Sequence, residues 1–169
     1  MKINRITNVA IFIALFFIAS NIIMPLNFFG IPVTWQTLII YLIPFFLSYK
    51  EITLWFITLL LVCLIGFPIM NGFQGGLGVL VGASAGFIYS WIFVMLLIKW
   101  YINIVNNQIF LFLGMLVSAI VGLVIGTIYL SIYTNEILYE MVFTFIPIEI
   151  LKIILVLLLI KKIPSNLKC

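Results

Sequence analysis

The sequence predicts an all-α integral membrane protein with six transmembrane helices in one domain over residues 1–169. Hydrophobic residues make up 66% of the chain and charged residues only 7%, whereas a soluble domain carries roughly a quarter charged residues. A helix needs about 20 apolar residues to cross a hydrocarbon core of roughly 30 Å. The 169 residues therefore hold about six crossings joined by short loops, with no room for a separate soluble module.

Breaks in the apolar pattern divide the chain into its predicted helices. Prolines, glycines and short polar runs mark the turns between them. The predicted helices cover residues 6–24, 34–49, 52–66, 77–98, 109–133 and 146–161. The first 24 residues have the basic start and apolar middle of a secretory signal, but Ile18-Ala19-Ser20 is a poor cleavage site. We therefore expect a retained first helix.

The basic residues predict an orientation, because cytoplasmic loops carry an excess of lysine and arginine. With the N-terminus in the cytoplasm, six crossings place seven of the eight basic residues on that side, namely Lys2, Arg5, Lys50, Lys99, Lys161, Lys162 and Lys168. The eighth, Lys152, lies inside the last helix, while Glu136 and Glu140 fall outside. We therefore expect a multi-pass protein of a prokaryotic cell membrane with both termini cytoplasmic.

Glu149 and Lys152 stand three residues apart at the start of the last apolar run. Pro147 suits the first turn of a helix, so Glu149 is expected in that first turn. Each ionisable group costs about 2.5–3.5 kcal/mol at the centre of a membrane helix, so such groups face a partner, a cavity or a ligand. The alternative is an internal ion pair that only tolerates burial. We favour a ligand site.

A glycine-rich stretch over residues 71–78 is the second candidate. Asn71 and Gln74 each offer hydrogen-bond donors and an acceptor. Gly75 and Gly76 would let backbone amides approach a ligand closely. Irregular backbone near a membrane must line a cavity or meet water. The first case would make this stretch part of a ligand site, and the alternative is a flexible outer turn.

The start of the second helix is the third candidate. Gln36, with the neighbouring threonine Thr34, can hydrogen-bond a polar heterocycle, and Trp35 can stack on it. The alternative is a helix N-cap followed by an interfacial tryptophan. On the predicted topology all three candidates lie in the outer half of the membrane.

Small residues recur at every fourth position in three helices, a spacing that lets membrane helices approach closely. The members are Gly78, Gly82 and Gly86 in helix four, Gly114, Ser118, Gly122 and Gly126 in helix five, and Ala10 and Ala14 in helix one. We expect internal packing for helices four and five. The alanines of helix one can instead face another protein.

Several function classes are excluded by composition. The chain has no histidine and no aspartate, which removes the commonest metal ligands and the usual general base. Cys63 and Cys169 are isolated, so we expect neither a disulfide nor a metal site. No Walker motif is present. We therefore expect no enzyme, no cofactor and no ATP hydrolysis by this chain; energy for accumulating a solute would come from a partner or an ion gradient.

Three stretches of the chain resemble the BioY family, the biotin-specific substrate-binding (S) components of energy-coupling factor (ECF) transporters. Residues 31–38 resemble the family's Pro-Val-Thr-x-Gln-Thr-Leu segment. Residues 66–80 resemble its Gly-Leu-Pro-Val-Phe stretch followed by Gly-Gly-x-Gly, and residues 146–152 resemble its Pro-Gly-Asp-x-x-Lys motif.

The resemblance implies a six-helix S component that captures biotin from the extracellular side and topples in the membrane to deliver it to the cytoplasm. It implies two kinds of partner, a transmembrane coupling protein (the T component) and two ABC-type ATPases. Ala10 and Ala14 match the family's docking surface for the coupling protein. Glu149 and Lys152 match the family's acidic residue and lysine of helix six.

Two departures from the family pattern affect the expected pocket. The family's Gly-Pro-Thr-Gly-Gly is replaced by residues 82–86, and its Gly-Asp by Ile148-Glu149. A biotin precursor or another vitamin is therefore an alternative ligand. The alternative function is a self-sufficient secondary transporter of a small anionic or vitamin-like solute, with Glu149 as proton carrier.

Overall fold

The computed structural model of the chain describes residues 5–28 and 31–163. Seven α-helices form in this part, joined by one β-hairpin and a short 3-10 helix at Asn71–Phe73. The helices are α1 (Arg5–Asn21), α2 (Gln36–Phe46), α3 (Tyr49–Leu64), α4 (Leu77–Val81), α5 (Ala85–Ile104), α6 (Gln108–Thr134) and α7 (Glu140–Lys162). Lys2, Lys168 and Cys169 lie outside the described residues.

The predicted turn between the first two helices is a β-hairpin. Strand β1 (Ile23–Phe28) pairs antiparallel with β2 (Ile31–Thr34), and an irregularity interrupts the register between Ile23 and Asn27. Proline is tolerated because a two-stranded ribbon consists of edge strands only. The hairpin takes residues from both neighbours, so α1 ends at Asn21 and α2 begins at Gln36.

The predicted fourth helix is wrong as one continuous element. Gly82 has an extended conformation (φ −78°, ψ −175°), which ends α4 after only five residues, and α5 begins at Ala85. The predicted end at residue 98 is also wrong. Lys99 lies within α5, is buried, and donates a hydrogen bond to the Pro44 carbonyl oxygen at 3.0 Å. That carbonyl belongs to the last turn of α2, where orphan carbonyls need donors.

The last helix begins earlier than predicted. It starts at Glu140, whose carboxylate suits the positive end of the helix dipole. Met141 and Phe145 are buried in the added turns, which gives this segment a packing face. Pro147 is therefore inside the helix, and the prediction that Glu149 lies in the first turn is wrong.

Helices α5 and α6 pack against each other along their lengths, and α2 packs between α5 and α7. A Cβ at Gly122 would lie 2.6 Å from a Val94 methyl group, and Gly126 meets the ring of Phe87. Close packing by the small residues of the fifth predicted helix is thus confirmed. Among the small residues of the fourth predicted helix, Gly86 packs against Tyr129, while Gly78 and Gly82 line a cavity.

By length and composition, three of the described helices can cross a membrane, namely α5, α6 and α7. Helices α1 and α2 are shorter apolar helices. The protein is thus an α-helical membrane protein. The count of six crossings and the side on which the termini lie stay predictions.

Candidate substrate-binding site

A cavity of about 430 Å³ lies where β2, α2, α5, α6 and α7 meet the loop before α4. Its volume falls within the range of small-molecule sites, about 300–1,000 Å³. Eight polar side chains line it: Thr34, Gln36, Thr37, Asn71, Gln74, Ser84, Glu149 and Lys152. The apolar wall includes Val33, Met70, Val79, Phe87, Ile88, Trp91, Leu123 and Phe145. A mostly apolar cavity with a few placed polar groups is typical of a site for a small organic molecule.

Glu149 and Lys152 form an ion pair at one wall of this cavity. The Lys152 Nζ lies 3.0 Å from the Glu149 Oε1, and the two residues are only 2% and 3% exposed respectively. Their spacing on α7 brings both side chains to one face of the helix. The sequence left two alternatives for this pair, an internal ion pair or a ligand site. The structure shows that the two residues form an ion pair and also line the cavity.

Hydroxyl groups from α2 complete the surroundings of the pair. Lys152 Nζ donates to the Thr37 Oγ1 at 2.7 Å, and Thr37 donates to the Glu149 Oε1 at 3.2 Å. The Tyr41 hydroxyl donates to the Glu149 Oε2 at 2.7 Å. Thr37 and Tyr41 are one helical turn apart, so one face of α2 serves both charges. A buried ion pair is tolerable only when such added hydrogen bonds satisfy it.

Gln36 is the first residue of α2 and lines the cavity. Its Oε1 accepts a hydrogen bond from the Thr34 hydroxyl at 2.9 Å. Its buried Nε2 has no acceptor among the described residues. Leaving a buried donor unpaired costs about 1–3 kcal/mol. A ligand that offers an acceptor to this Nε2 would remove that cost.

Asn71 and Gln74 reach the cavity from a loop that is fastened to the end of α1. The Ser20 hydroxyl donates to the Ile69 carbonyl at 2.8 Å, and the Asn21 Oδ1 accepts from the Phe73 amide at 2.8 Å. A bond from the Met70 amide to the Gln74 carbonyl, 2.9 Å long, closes the loop on itself. The two amide side chains are therefore carried by a loop with defined anchors.

The other three predicted contact residues are not among those that line the cavity: Trp35, Gly75 and Gly76. Trp35 is partly buried against the core. Gly75 is in close contact with the Phe67 carbonyl, where no Cβ would fit. Gly76 has a φ of 92°, and its amide donates to the Cys63 carbonyl at 2.7 Å. Gly76 thus fastens the loop to α3, and Gly75 packs against the segment that follows α3. Contact of these three residues with a ligand stays a prediction.

Sequence reasoning did not identify Tyr41, Phe87 or Trp91 as part of this region. Tyr41 carried a usable signal, since it follows Thr37 by four residues and so shares its helical face. The aromatic lining of α5 carried none, because an apolar residue in an apolar run is equally suited to lipid, core or cavity.

Ala10 and Ala14 are exposed on α1. The buried face of this helix consists of other residues, Val9, Phe12, Phe16, Ala19 and Ser20. The alanine pair is therefore available to another molecule, and docking there stays a prediction.

The sequence profile of the BioY family matches residues 1–168. The chain is 30% identical over 128 residues to the biotin transporter BioY2 of Lactococcus lactis subsp. cremoris, a match that covers 68% of this chain and 69% of that protein. It is 33% identical over 112 residues to a probable biotin transporter BioY of Bacillus subtilis, covering 64% of this chain and 57% of that protein.

The fold is similar to that of a solved protein, described as the S-component for biotin from an ECF-type ABC transporter, whose crystal structure was determined at 2.1 Å. The TM-score is 0.83 and the sequence identity 26%. The superposition covers 94% of this chain and 89% of the other.

Proposed function

The chain belongs to the BioY family, and from that premise we propose that it is an S component of an ECF transporter that captures biotin. The resemblance seen in its motifs is confirmed by the family match. The expectation that it is not an enzyme is confirmed as well, because its relatives are named as transporters. The chain is thus a membrane protein of a transporter family.

The observation that carries the proposal is the convergence of polar residues from distant parts of the chain. Six of the nine residues predicted to bind substrate line one cavity, namely Thr34, Gln36, Asn71, Gln74, Glu149 and Lys152. They come from β2, α2, the loop before α4, and α7. Buried polar groups in a membrane protein are expensive. A shared ligand is a physical reason for placing all of them around one space.

The chemistry of biotin suits this cavity. Its ureido head both donates and accepts hydrogen bonds, its thioether ring and valeryl chain are apolar, and it ends in a carboxylate. The aromatic and aliphatic wall suits the ring and chain. Within the part of the chain that the structure describes, the Gln36 Nε2 is an unpaired donor, and Lys152 uses two of its three donors.

Two orientations of biotin fit these donors. In one, Lys152 donates to the ureido oxygen and Glu149 accepts from the ureido N–H groups. In the other, Lys152 pairs with the biotin carboxylate. Both use the third Lys152 proton, since Thr37 and Glu149 are the acceptors that the described residues supply for the other two.

We further propose the topology and partners that an S component requires. The chain would cross the cell membrane six times with both termini cytoplasmic, accept biotin from the extracellular side, and release it to the cytoplasm. A T component would dock on the exposed Ala10 and Ala14 of α1, and two ABC-type ATPases would supply the energy.

Calorimetric titration of the purified chain with biotin tests capture directly. We expect saturable binding without ATP or an ion gradient. Lys152→Met should abolish this binding, because it removes a donor and leaves the Glu149 carboxylate without its cation. Lys161→Met, at the far end of α7, is the matched control and should bind normally.

Normal binding by Lys152→Met would remove that residue from the site, and no binding by the parent chain would refute biotin as ligand. Vesicles holding this chain alone, with an imposed pH gradient, separate the alternative function from this one. We expect no uptake there; uptake would favour the self-sufficient secondary transporter.

A further inference from the structure

We propose that Tyr41 is a positioning residue that holds the Glu149 carboxylate in the orientation needed for ligand capture. This inference rests on the proposed function, because it concerns the same site. It assigns no ligand contact to Tyr41. The residue acts through Glu149.

The two oxygens of the Glu149 carboxylate have separate partners. Oε1 accepts from Lys152 at 3.0 Å and from Thr37 at 3.2 Å, and both of these donors line the main cavity. Oε2 accepts from the Tyr41 hydroxyl at 2.7 Å. Tyr41 therefore decides how the carboxylate plane is turned between α2 and α7.

Tyr41 lies behind the carboxylate as seen from the main cavity. It is only 3% exposed and is not among the residues that line that cavity. It lines a second, small cavity of about 30 Å³, which Glu149 and Thr37 also line. Glu149 and Thr37 thus separate the phenol from the ligand space.

The small cavity shows what would follow if the hydroxyl were absent. A space of about 30 Å³ holds one water molecule when polar groups surround it. A carboxylate that lost its bond to Tyr41 could turn toward this space or toward a water in it. That turn would take Oε1 away from Lys152 and Thr37, and the donor pattern presented to a ligand would change.

A glutamate needs this support more than a shorter acid would. Its side chain has one more torsion than that of aspartate, and fixing a flexible side chain at binding costs free energy. Tyr41 is a rigid aromatic residue packed on a neighbouring helix, so its bond fixes the carboxylate before the ligand arrives. Second partners of this kind commonly decide how well a primary binding group works.

Tyr41→Phe removes the hydroxyl and keeps the ring. We expect its affinity for biotin to fall about tenfold, the effect of losing one hydrogen bond to a charged group. Tyr49→Phe is the matched control, since that hydroxyl accepts a bond from Asn103 far from the cavity. It should bind biotin as the parent does. Thermal unfolding of both variants checks that the fold is retained.

A double-mutant cycle separates positioning from a general structural role. Aspartate at position 149 is one methylene shorter and should no longer reach the Tyr41 hydroxyl. In the Glu149→Asp background, Tyr41→Phe should therefore change biotin affinity less than about twofold. An equal loss of affinity in both backgrounds, or no loss in the parent, would overturn the inference.

Infrared spectroscopy supplies a readout that needs no ligand. The chain has only four acidic side chains, so isotope-labelled glutamate and Glu149→Gln identify the carboxylate band of Glu149. We expect Tyr41→Phe to shift this band and Tyr49→Phe to leave it unchanged. An unmoved Glu149 band in Tyr41→Phe would overturn the inference. This result does not depend on biotin binding, so it still decides the matter if the parent or Glu149→Asp does not bind biotin. Failure of the parent alone refutes the proposed function.

Discussion

The hydroxyl of Thr37 bonds to both charged residues of the site, Lys152 and Glu149. Replacing Thr37 therefore tests most directly how α2 supports the ion pair. Thr37→Val keeps the shape of the side chain and removes its polar atom. Lys152 then loses a bond of 2.7 Å and Glu149 loses one of 3.2 Å. The ion pair, 3.0 Å long in the parent, does not involve Thr37, so the variant isolates what the Thr37 hydroxyl adds to it.

The size of the effect follows from these two bonds. A hydrogen bond to a charged group contributes about 1.5–3 kcal/mol. If the shorter bond counts in full and the longer adds a fraction, the free energy of unfolding falls by about 2–3 kcal/mol. A chain of this size loses about 2–4 °C in Tm per kcal/mol, which predicts a decrease of about 4–12 °C. Biotin affinity should fall about tenfold or more, because Lys152 loses its bond to α2 and is held less firmly in place.

Thermal unfolding in detergent and calorimetric titration with biotin measure both effects. Thr58→Val is the matched control, since the Thr58 hydroxyl donates to the Leu54 carbonyl of its own helix in an exposed bond away from the site. We expect that variant to unfold and bind as the parent does. If Thr37→Val matched Thr58→Val in both Tm and affinity, the α2 hydroxyl would contribute nothing and the reasoning about this site would be refuted.

Three further changes test other parts of the structure. Asn21→Ala removes the acceptor of the Phe73 amide, so that amide should exchange with solvent faster by mass spectrometry and biotin should dissociate faster. Gln36→Met removes the buried Nε2 that has no acceptor among the described residues, so titration should show about tenfold weaker biotin binding with little change in Tm. Gly126→Leu forces a side chain into the Phe87 ring, so it should lower Tm and the yield of folded protein, whereas Gly78→Ala, placed in open space, should fold normally.

Long apolar runs and isolated polar residues are the features that the sequence made predictable. Helices α5 to α7 were found as apolar stretches. Both ends of α6 were predicted to within one residue, whereas both ends of α5 and the start of α7 were displaced by several residues. Polar residues in apolar surroundings are expensive in a membrane and so stand out. For that reason Gln36, Asn71 and Lys152 could be selected without coordinates, and the structure places all three at one cavity.

The break between α4 and α5 was missed because glycine spacing has two meanings. Gly78, Gly82 and Gly86 fit a helix-packing stripe, and only Gly86 packs in that way, against Tyr129. At Gly82 the chain instead becomes extended and lines the cavity. A small residue can allow two helices to pack closely, or it can leave room for a ligand. Which of these applies depends on its neighbours in three dimensions, and the spacing in the sequence does not reveal them.

The misplaced start of α7 has the largest consequence for the site. Glu149 comes nine positions after Glu140 in the helix, so its carboxylate lies about 13 Å further along the helix than the start of α7. Neither charge is near a helix end, where backbone groups or water would satisfy it. The ion pair is therefore satisfied by side chains, and α2 supplies them through Thr37 and Tyr41. This depth explains why a site that the sequence placed on α7 depends on hydroxyl groups of another helix.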